Sequence, residues 1–286
     1  MEVGPFVESE VDLTRLGVMQ GRLSDPVGGK IQSFPWDGWE REFAAVEHCG
    51  LSLMEWTLDD LHFMLNPLLD PSRRWRIVEL KSKHGVRIHS VTCDFIMEHP
   101  PHKELQFSSQ LSRMNQLISS CDNLGIRTVV LPFVDRSSIT SGRERDQTLR
   151  FLTSLMDDLD GTSVRVALEM DLTPTQMGNF LAELPGELFG VNYDAGNSAS
   201  LGFPVDEEME SFGQRILNVH LKDRPRGGTT VRFGEGDVDF ISLFRLLRDL
   251  GYDGNFILQG ARSPDMRHSQ QILEYVAFCI GKGFGE

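Results

Sequence analysis

Four polar residues, Glu169, Asp194, His220 and Gln259, each stand at the end of a short β-rich run in the second half of the chain. Two carboxylates and an imidazole make a ligand set for a divalent cation. Their hard oxygens favour Mn²⁺ or Mg²⁺, and Zn²⁺ or Co²⁺ also accept such a set. Gln259 differs from the other three. Its amide oxygen is a neutral, weaker ligand, and an amide cannot act as a general base at ordinary pH. Each residue alone is a weak signal, because a single acid after a strand is more often a solvated or ion-paired side chain. Four at one structural level in consecutive units carry more weight.

Strand-like runs alternate with amphipathic stretches along the chain. The runs are Leu16–Gln20, Leu51–Trp56, Val86–Cys93, Thr128–Phe133, Val164–Glu169, Gly190–Asp194, Leu217–Lys222 and Asn255–Gln259. Helical patterns fall between them at Trp36–His48, Ser72–His84, Glu104–Leu124, Arg145–Leu159 and Phe240–Leu250. In the last of these, Phe240, Leu243, Phe244, Leu247 and Leu250 form one apolar stripe, which is the mark of a helix packed on a sheet. Gly50, Gly85, Gly125 and Gly251 sit between a helical run and the next strand, where a helix commonly ends in a left-handed residue. Eight βα units imply a parallel sheet closed as an α/β (β/α)₈ TIM barrel. A barrel brings its C-terminal strand ends to one mouth, so residues far apart in sequence can share a metal. An open doubly wound sheet would usually carry a Gly-rich phosphate loop after its first strand. Here that position reads Gly21-Arg22-Leu23-Ser24. No composition break divides the chain, so 1–286 reads as a single domain, with 1–14 as an N-terminal extension.

Three stretches, Val191–Ser198 (VNYDAGNS), Val219–Arg224 (VHLKDR) and Val231–Phe240 (VRFGEGDVDF), give the chain a wider resemblance. It resembles the xylose isomerase-like TIM barrels, most closely the sugar phosphate isomerase/epimerase branch. The resemblance implies a metal held by Glu169, Asp194, His220 and the residue at 259, where that branch has a glutamate. It also implies a monosaccharide or sugar phosphate substrate and proton transfer through an enediolate. With glutamine at 259, two-base 3-epimerisation loses its second base. The remaining readings are a one-base isomerase or epimerase-like enzyme with Glu169 shuttling the proton, a dehydratase-type lyase, and a catalytically degenerate sugar-binding barrel.

Other residues are expected in supporting roles. Lys222 lies two positions after His220 and so on the same side of its strand. There it would stabilise enediolate charge or pair with a carboxylate. Arg226, by the resemblance, contacts substrate. Asn197 binds a substrate hydroxyl or caps a helix. Glu55, by the resemblance, faces the mouth, or it pairs with a barrel arginine. Arg262, with Arg224, would suit a phosphate through forked hydrogen bonds. Trp56, Phe95 and Phe133 would line a sugar face or sit in the core.

The chain has 28 Lys plus Arg against 42 Asp plus Glu, a net charge of −14, which disfavours a nucleic acid partner. Cys49, Cys93, Cys121 and Cys279 form no CxxC pair and read as buried thiols in a reducing compartment. With no secretory signal and no apolar run of about 20 residues, a cytoplasmic protein without membrane partners is expected. The resemblance leaves a homo-oligomer open.

Overall fold

Apolar residues fill the strands on both faces, the pattern of a parallel sheet covered by helices. In the computed structural model, which describes residues 11–285, eight parallel strands run in sequence order and close into a barrel. They are β1 (Leu16–Met19), β2 (Met54–Thr57), β3 (Ser90–Thr92), β4 (Thr128–Phe133), β5 (Arg165–Met170), β6 (Phe189–Asp194), β7 (Ile216–Leu221) and β8 (Asn255–Leu258). β1 closes the sheet on β8, with Val18 opposite Leu258. All eight strands fall where the sequence places them, with ends shifted by a few residues. The (β/α)₈ expectation holds. Of the expected N-terminal extension, residues 1–10 lie outside the described residues.

The helices Trp39–His48, Arg74–His84, Phe107–Leu124 and Phe240–Asp249 match their amphipathic patterns. The stretch expected at Arg145–Leu159 is two helices, Gly142–Thr153 and Met156–Leu159, and the first starts earlier than expected. Ser141 sets that start by accepting the Glu144 backbone N–H. Pro174–Leu181, Ala195–Leu201, Val205–Phe212 and His268–Gly281 are further helices. The four glycines expected after helices all have positive φ, between 64° and 72°.

Register sets the level of the mouth. Asp194 lies opposite His220 across β6 and β7, and Glu169 lies opposite Pro132 across β4 and β5. Gly190 allows β6 to approach β7, since a Cβ there would meet Arg215 O at 2.4 Å and Leu217 Cγ at 2.5 Å. Trp56, Phe95 and Phe133 are fully buried core residues, so the expectation of an apolar wall for a sugar face is not met. All four cysteines are buried and free. Among the described residues, no helix is long and apolar enough to cross a membrane.

Candidate metal centre

Glu169 is the penultimate residue of β5, Asp194 ends β6, His220 is the penultimate residue of β7, and Gln259 follows β8. The structure brings the first three together: all are buried, and one ligand atom from each lies within 4.8 Å of the others. His220 Nδ1 is 3.4 Å from Glu169 Oε2 and 4.0 Å from Asp194 Oδ2. Asp194 also begins the helix Ala195–Leu201, where its Oδ1 accepts the Asn197 backbone N–H at 2.8 Å. One oxygen of Asp194 is thus used as a helix cap, and Oδ2 is left for the mouth.

The ring of His220 is oriented from below. Its Nε2 lies 2.7 Å from Glu55 Oε1, so Nε2–H donates to Glu55 and Nδ1 faces Glu169 and Asp194. A carboxylate behind a histidine ligand is the usual device for fixing its tautomer and raising its basicity. Glu55 also accepts from Ser90 Oγ at 2.6 Å and from Asn218 Nδ2 at 2.8 Å. Asn218 donates to Asn192 Oδ1 as well, and the Asn192 amide nitrogen lies 2.7 Å from Glu169 Oε2 and 3.0 Å from His220 Nδ1. Asn197 Nδ2 holds the other Glu169 oxygen at 2.7 Å. Both oxygens of Glu169 are therefore fixed by amides, and each keeps a lone pair.

The donor set fits a divalent cation. Gln259 Oε1 is buried and accepts no hydrogen bond. Asp194 Oδ2 likewise has no partner in hydrogen-bond geometry, although Lys222 Nζ stands 2.6 Å from it. Unpaired buried acceptors are costly unless something positive meets them. His220 points the same way. Burial lowers its pKa, but the Glu55 and Glu169 carboxylates outweigh burial and lift it to about 10. The ring of carboxylates thus calls for positive charge at this spot. Lys222 reaches Asp194 past Gly196, where a Cβ would meet Lys222 Cγ at 2.8 Å.

The remaining expected site residues are differently employed. Glu55 is not at the substrate surface: it is fully buried beneath His220 and holds the ring. Asn197 is neither a helix cap nor a free substrate donor. Asp194 makes the cap, and the Asn197 amide bridges Glu169 and Arg224, whose Nη1 donates to Asn197 Oδ1 at 2.7 Å. Arg226 is exposed and its guanidinium packs over Gly202, so the arginine of this loop that is tied to Glu169, through Asn197, is Arg224. Arg262 is committed to backbone: its guanidinium donates to Gly21 O, Ser24 O and Ile31 O. Three of its five N–H donors are thus spent on backbone carbonyls. The network residues Asn192 and Asn218 escaped the sequence reading. Their signal was the two-residue strand period, since each stands two positions before a ligand on the same face.

A second acidic group, Asp60, Glu98 and His99, lies nearer the surface. Arg113 donates to Asp60 at 2.5 Å and Lys30 pairs with Glu98 at 3.0 Å, so its charge is already answered by protein cations.

The model of the xylose isomerase-like TIM barrel family matches residues 43–276. An L-ribulose-5-phosphate 3-epimerase of Salmonella heidelberg strain SL476 is 26% identical over 235 residues, covering 77% of this chain and 81% of that protein. Among solved structures, a xylose isomerase-like TIM barrel protein of Mycobacterium smegmatis in complex with magnesium superposes with a TM-score of 0.70 at 19% identity, covering 92% of this chain and 96% of that one. The IolI protein with a bound zinc atom gives a TM-score of 0.73 at 16% identity, covering 96% and 100%. With its closed eight-stranded barrel and a family match over most of its length, the chain belongs to the xylose isomerase-like TIM barrels.

Proposed function

We propose that this protein is a divalent-metal-dependent isomerase or epimerase-like enzyme for a monosaccharide or sugar phosphate, with Glu169 as its proton-transferring base. The observation that carries the reading is the convergence of Glu169, Asp194 and His220 at one buried point of the barrel mouth. The relative named as a sugar phosphate epimerase supports the substrate class. Neighbours holding magnesium and zinc support a metal, with Mn²⁺ or Mg²⁺ suiting the oxygen-rich set here.

Glu169, Asp194 and His220 would hold the cation, with Gln259 adding its carbonyl oxygen. Bound there, a divalent cation supplies Lewis-acid polarisation of a substrate carbonyl. Glu169 takes the proton from the carbon beside that carbonyl, giving the enediolate, and returns it on the same face to the former carbonyl carbon while the hydroxyl proton passes from one oxygen to the other; return to the carbon it left regenerates the substrate. Asn192 and Asn197 keep the carboxylate from rotating, so the proton travels on one face. Lys222, 2.6 Å from Asp194 Oδ2, is the side-chain cation at the mouth that offsets negative charge as the enediolate forms. Gln259 cannot return a proton from the far face, which favours a one-base scheme over two-base epimerisation.

The neutral Gln259 also favours one competing reading, a barrel that binds sugar without turnover. Metal analysis combined with solvent deuterium exchange on a panel of ketoses and ketose phosphates separates the two. One-base catalysis gives deuterium at the carbon beside the carbonyl, and Glu169→Gln abolishes it. Metal binding without exchange on any of the panel would leave the sugar-binding reading, and no metal affinity would overturn both the metal and the mechanism.

A further inference from the structure

The loop that follows β1 carries a buried arginine that the proton-transfer scheme does not use. Arg22 is 5% exposed, at the C-terminal end of the barrel between β1 and β8. Its Nη1 donates to Gly260 O at 3.0 Å, one residue beyond Gln259. Its Nε is buried with no partner, and among the described residues no carboxylate forms an ion pair with it. Burial, then the nearby Arg262 charge, lowers its pKa to about 9, with Asp94 and Asp194 pulling the other way. It is therefore still a cation at neutral pH, within the field of two mouth carboxylates and in contact with neither.

A buried cation with no carboxylate against it is unfavourable unless something negative meets it. The loop holds the residues on both sides of Arg22. The buried carboxylate of Glu42 accepts the Gly21 and Leu23 backbone N–H groups at 2.8 and 3.1 Å. Arg262 grips the Gly21 and Ser24 carbonyls from the other side. Gly21 has φ +90°, and a Cβ there would meet Ser33 O at 2.7 Å, so the turn depends on glycine. Arg22 is thus presented by a loop held on both sides, with its Nε–H unspent, in a protein of net charge −14 that would otherwise repel anions.

We infer that Arg22 is the anion receptor of the barrel mouth and that the substrate carries an anionic group, a phosphate or a carboxylate, at the end remote from the reacting carbons. This deepens the sugar-enzyme reading above and rests on it for the identity of the rest of the substrate. The receptor itself has its own test.

Inorganic phosphate and acetate would be titrated calorimetrically into the metal-loaded full-length protein and into the same protein after chelation, so that anion held by the metal is recognised. Wild type, Arg22→Met and Arg22→Lys would be compared. Arg22→Met is expected to weaken the preferred anion by roughly 10- to 100-fold in both preparations. Its thermal midpoint is expected not to fall, because an apolar side chain replaces an unpaired buried charge. Arg22→Lys, which keeps the charge and loses the fork, decides the matter if the methionine variant does not fold: it should bind the anion several-fold more weakly than wild type. Preference for phosphate or for acetate identifies the anionic group. Equal anion affinity in wild type and variants would overturn the receptor, as would a lowered thermal midpoint with anion affinity unchanged. Anion binding through Arg22 without metal or turnover would sink the sugar-enzyme reading and leave the receptor standing. Metal-dependent turnover of ketoses with no anion effect at Arg22 would do the reverse.

Discussion

The two halves of the barrel mouth differ in how closely their buried polar groups are joined, Asp194 Oδ2 on β6 being without a hydrogen bond like several atoms of the other half. On β5, β6 and β7 the groups are joined: Glu169, Asn192, Asn197, Asn218 and His220 share hydrogen bonds that run down to Glu55 on β2. Around the ends of β1, β2 and β3, Gln20 Nε2, Arg22 Nε, Asp59 Oδ1 and Asp94 Oδ2 are buried with no partner. The Asp94 carboxyl is pushed up to about 7 by burial and by the charges of Asp59 and Glu169. A satisfied network fixes side chains at one geometry, which a metal and a proton-transferring base require. Unsatisfied groups are held ready for a partner from outside the chain. On the function proposed above, the joined half would carry the chemistry and the other half recognition.

The largest effect should come from the joined half. Glu169→Gln keeps the size and an oxygen but removes the base, so exchange at the carbon beside the carbonyl should fall roughly 10²- to 10⁴-fold. Solvent deuterium incorporation reads this directly, and retained exchange would move the base elsewhere, with Asp94 in the unjoined half the first place to look. A second test concerns the buried layer behind β6. Glu208 accepts from Tyr193 Oη at 2.8 Å and also from Ser198, and burial pushes its carboxyl up to about 7 from an ordinary 4.5. The folded state therefore holds this proton more tightly than the unfolded chain. The resulting stabilisation is complete below about pH 4.5 and is lost as pH rises through about 7, up to about 3 kcal/mol from this group. Glu208→Gln should flatten that part of the profile in urea denaturation at pH 5 and pH 8. An unchanged slope would assign the pH dependence to other buried acids.

The ligands were legible because a barrel gives strand ends a common address, and strand ends can be recognised from apolar runs followed by polar residues. Glu169, Asp194 and His220 needed nothing more to be brought together. The supporting arginines were less legible. Arg262, with Arg224, looked like a phosphate fork by type and Arg226 like a substrate contact by resemblance, but a guanidinium's role depends on which backbone carbonyls lie within reach, and loops decide that. Arg262 is consumed by the loop that presents Arg22. Glu55 was visible as a strand-end acid, yet its reach to His220 across the barrel appears only once the sheet is closed. The helices missed between β5 and β7 are short, and Val205–Phe212 opens with three acids, so their apolar stripes are too brief to show a period.

Breaking the link between the joined half and its ligand should have a more moderate effect. Glu55→Gln leaves a side chain of the same shape but removes the charge that orders His220. Loss of such a partner typically weakens metal binding by roughly 10- to 100-fold. Competition with a chelator of known affinity measures it. Unchanged affinity would mean that Asn192 and Asn218 suffice to hold the ring.

The smallest expected effect is the most informative about the boundary between the halves. Gln259 closes the circle of strands next to β1, and its Oε1 is buried without a partner, like the groups of the unjoined half. In sequence it belongs with the ligands. Gln259→Glu adds one negative charge at the same atom position. If that atom faces the cation, affinity should tighten by about tenfold, since hard-cation sites are tuned by the charge count of their ligands. The added carboxylate also restores a proton acceptor on the far face, so a trace of epimerisation should accompany the gain. If Gln259 instead looks toward Arg22, the new charge would pair with the guanidinium, metal affinity would stay as it was, and anion binding would fall. The two titrations on one variant thus decide on which side of the divide residue 259 stands.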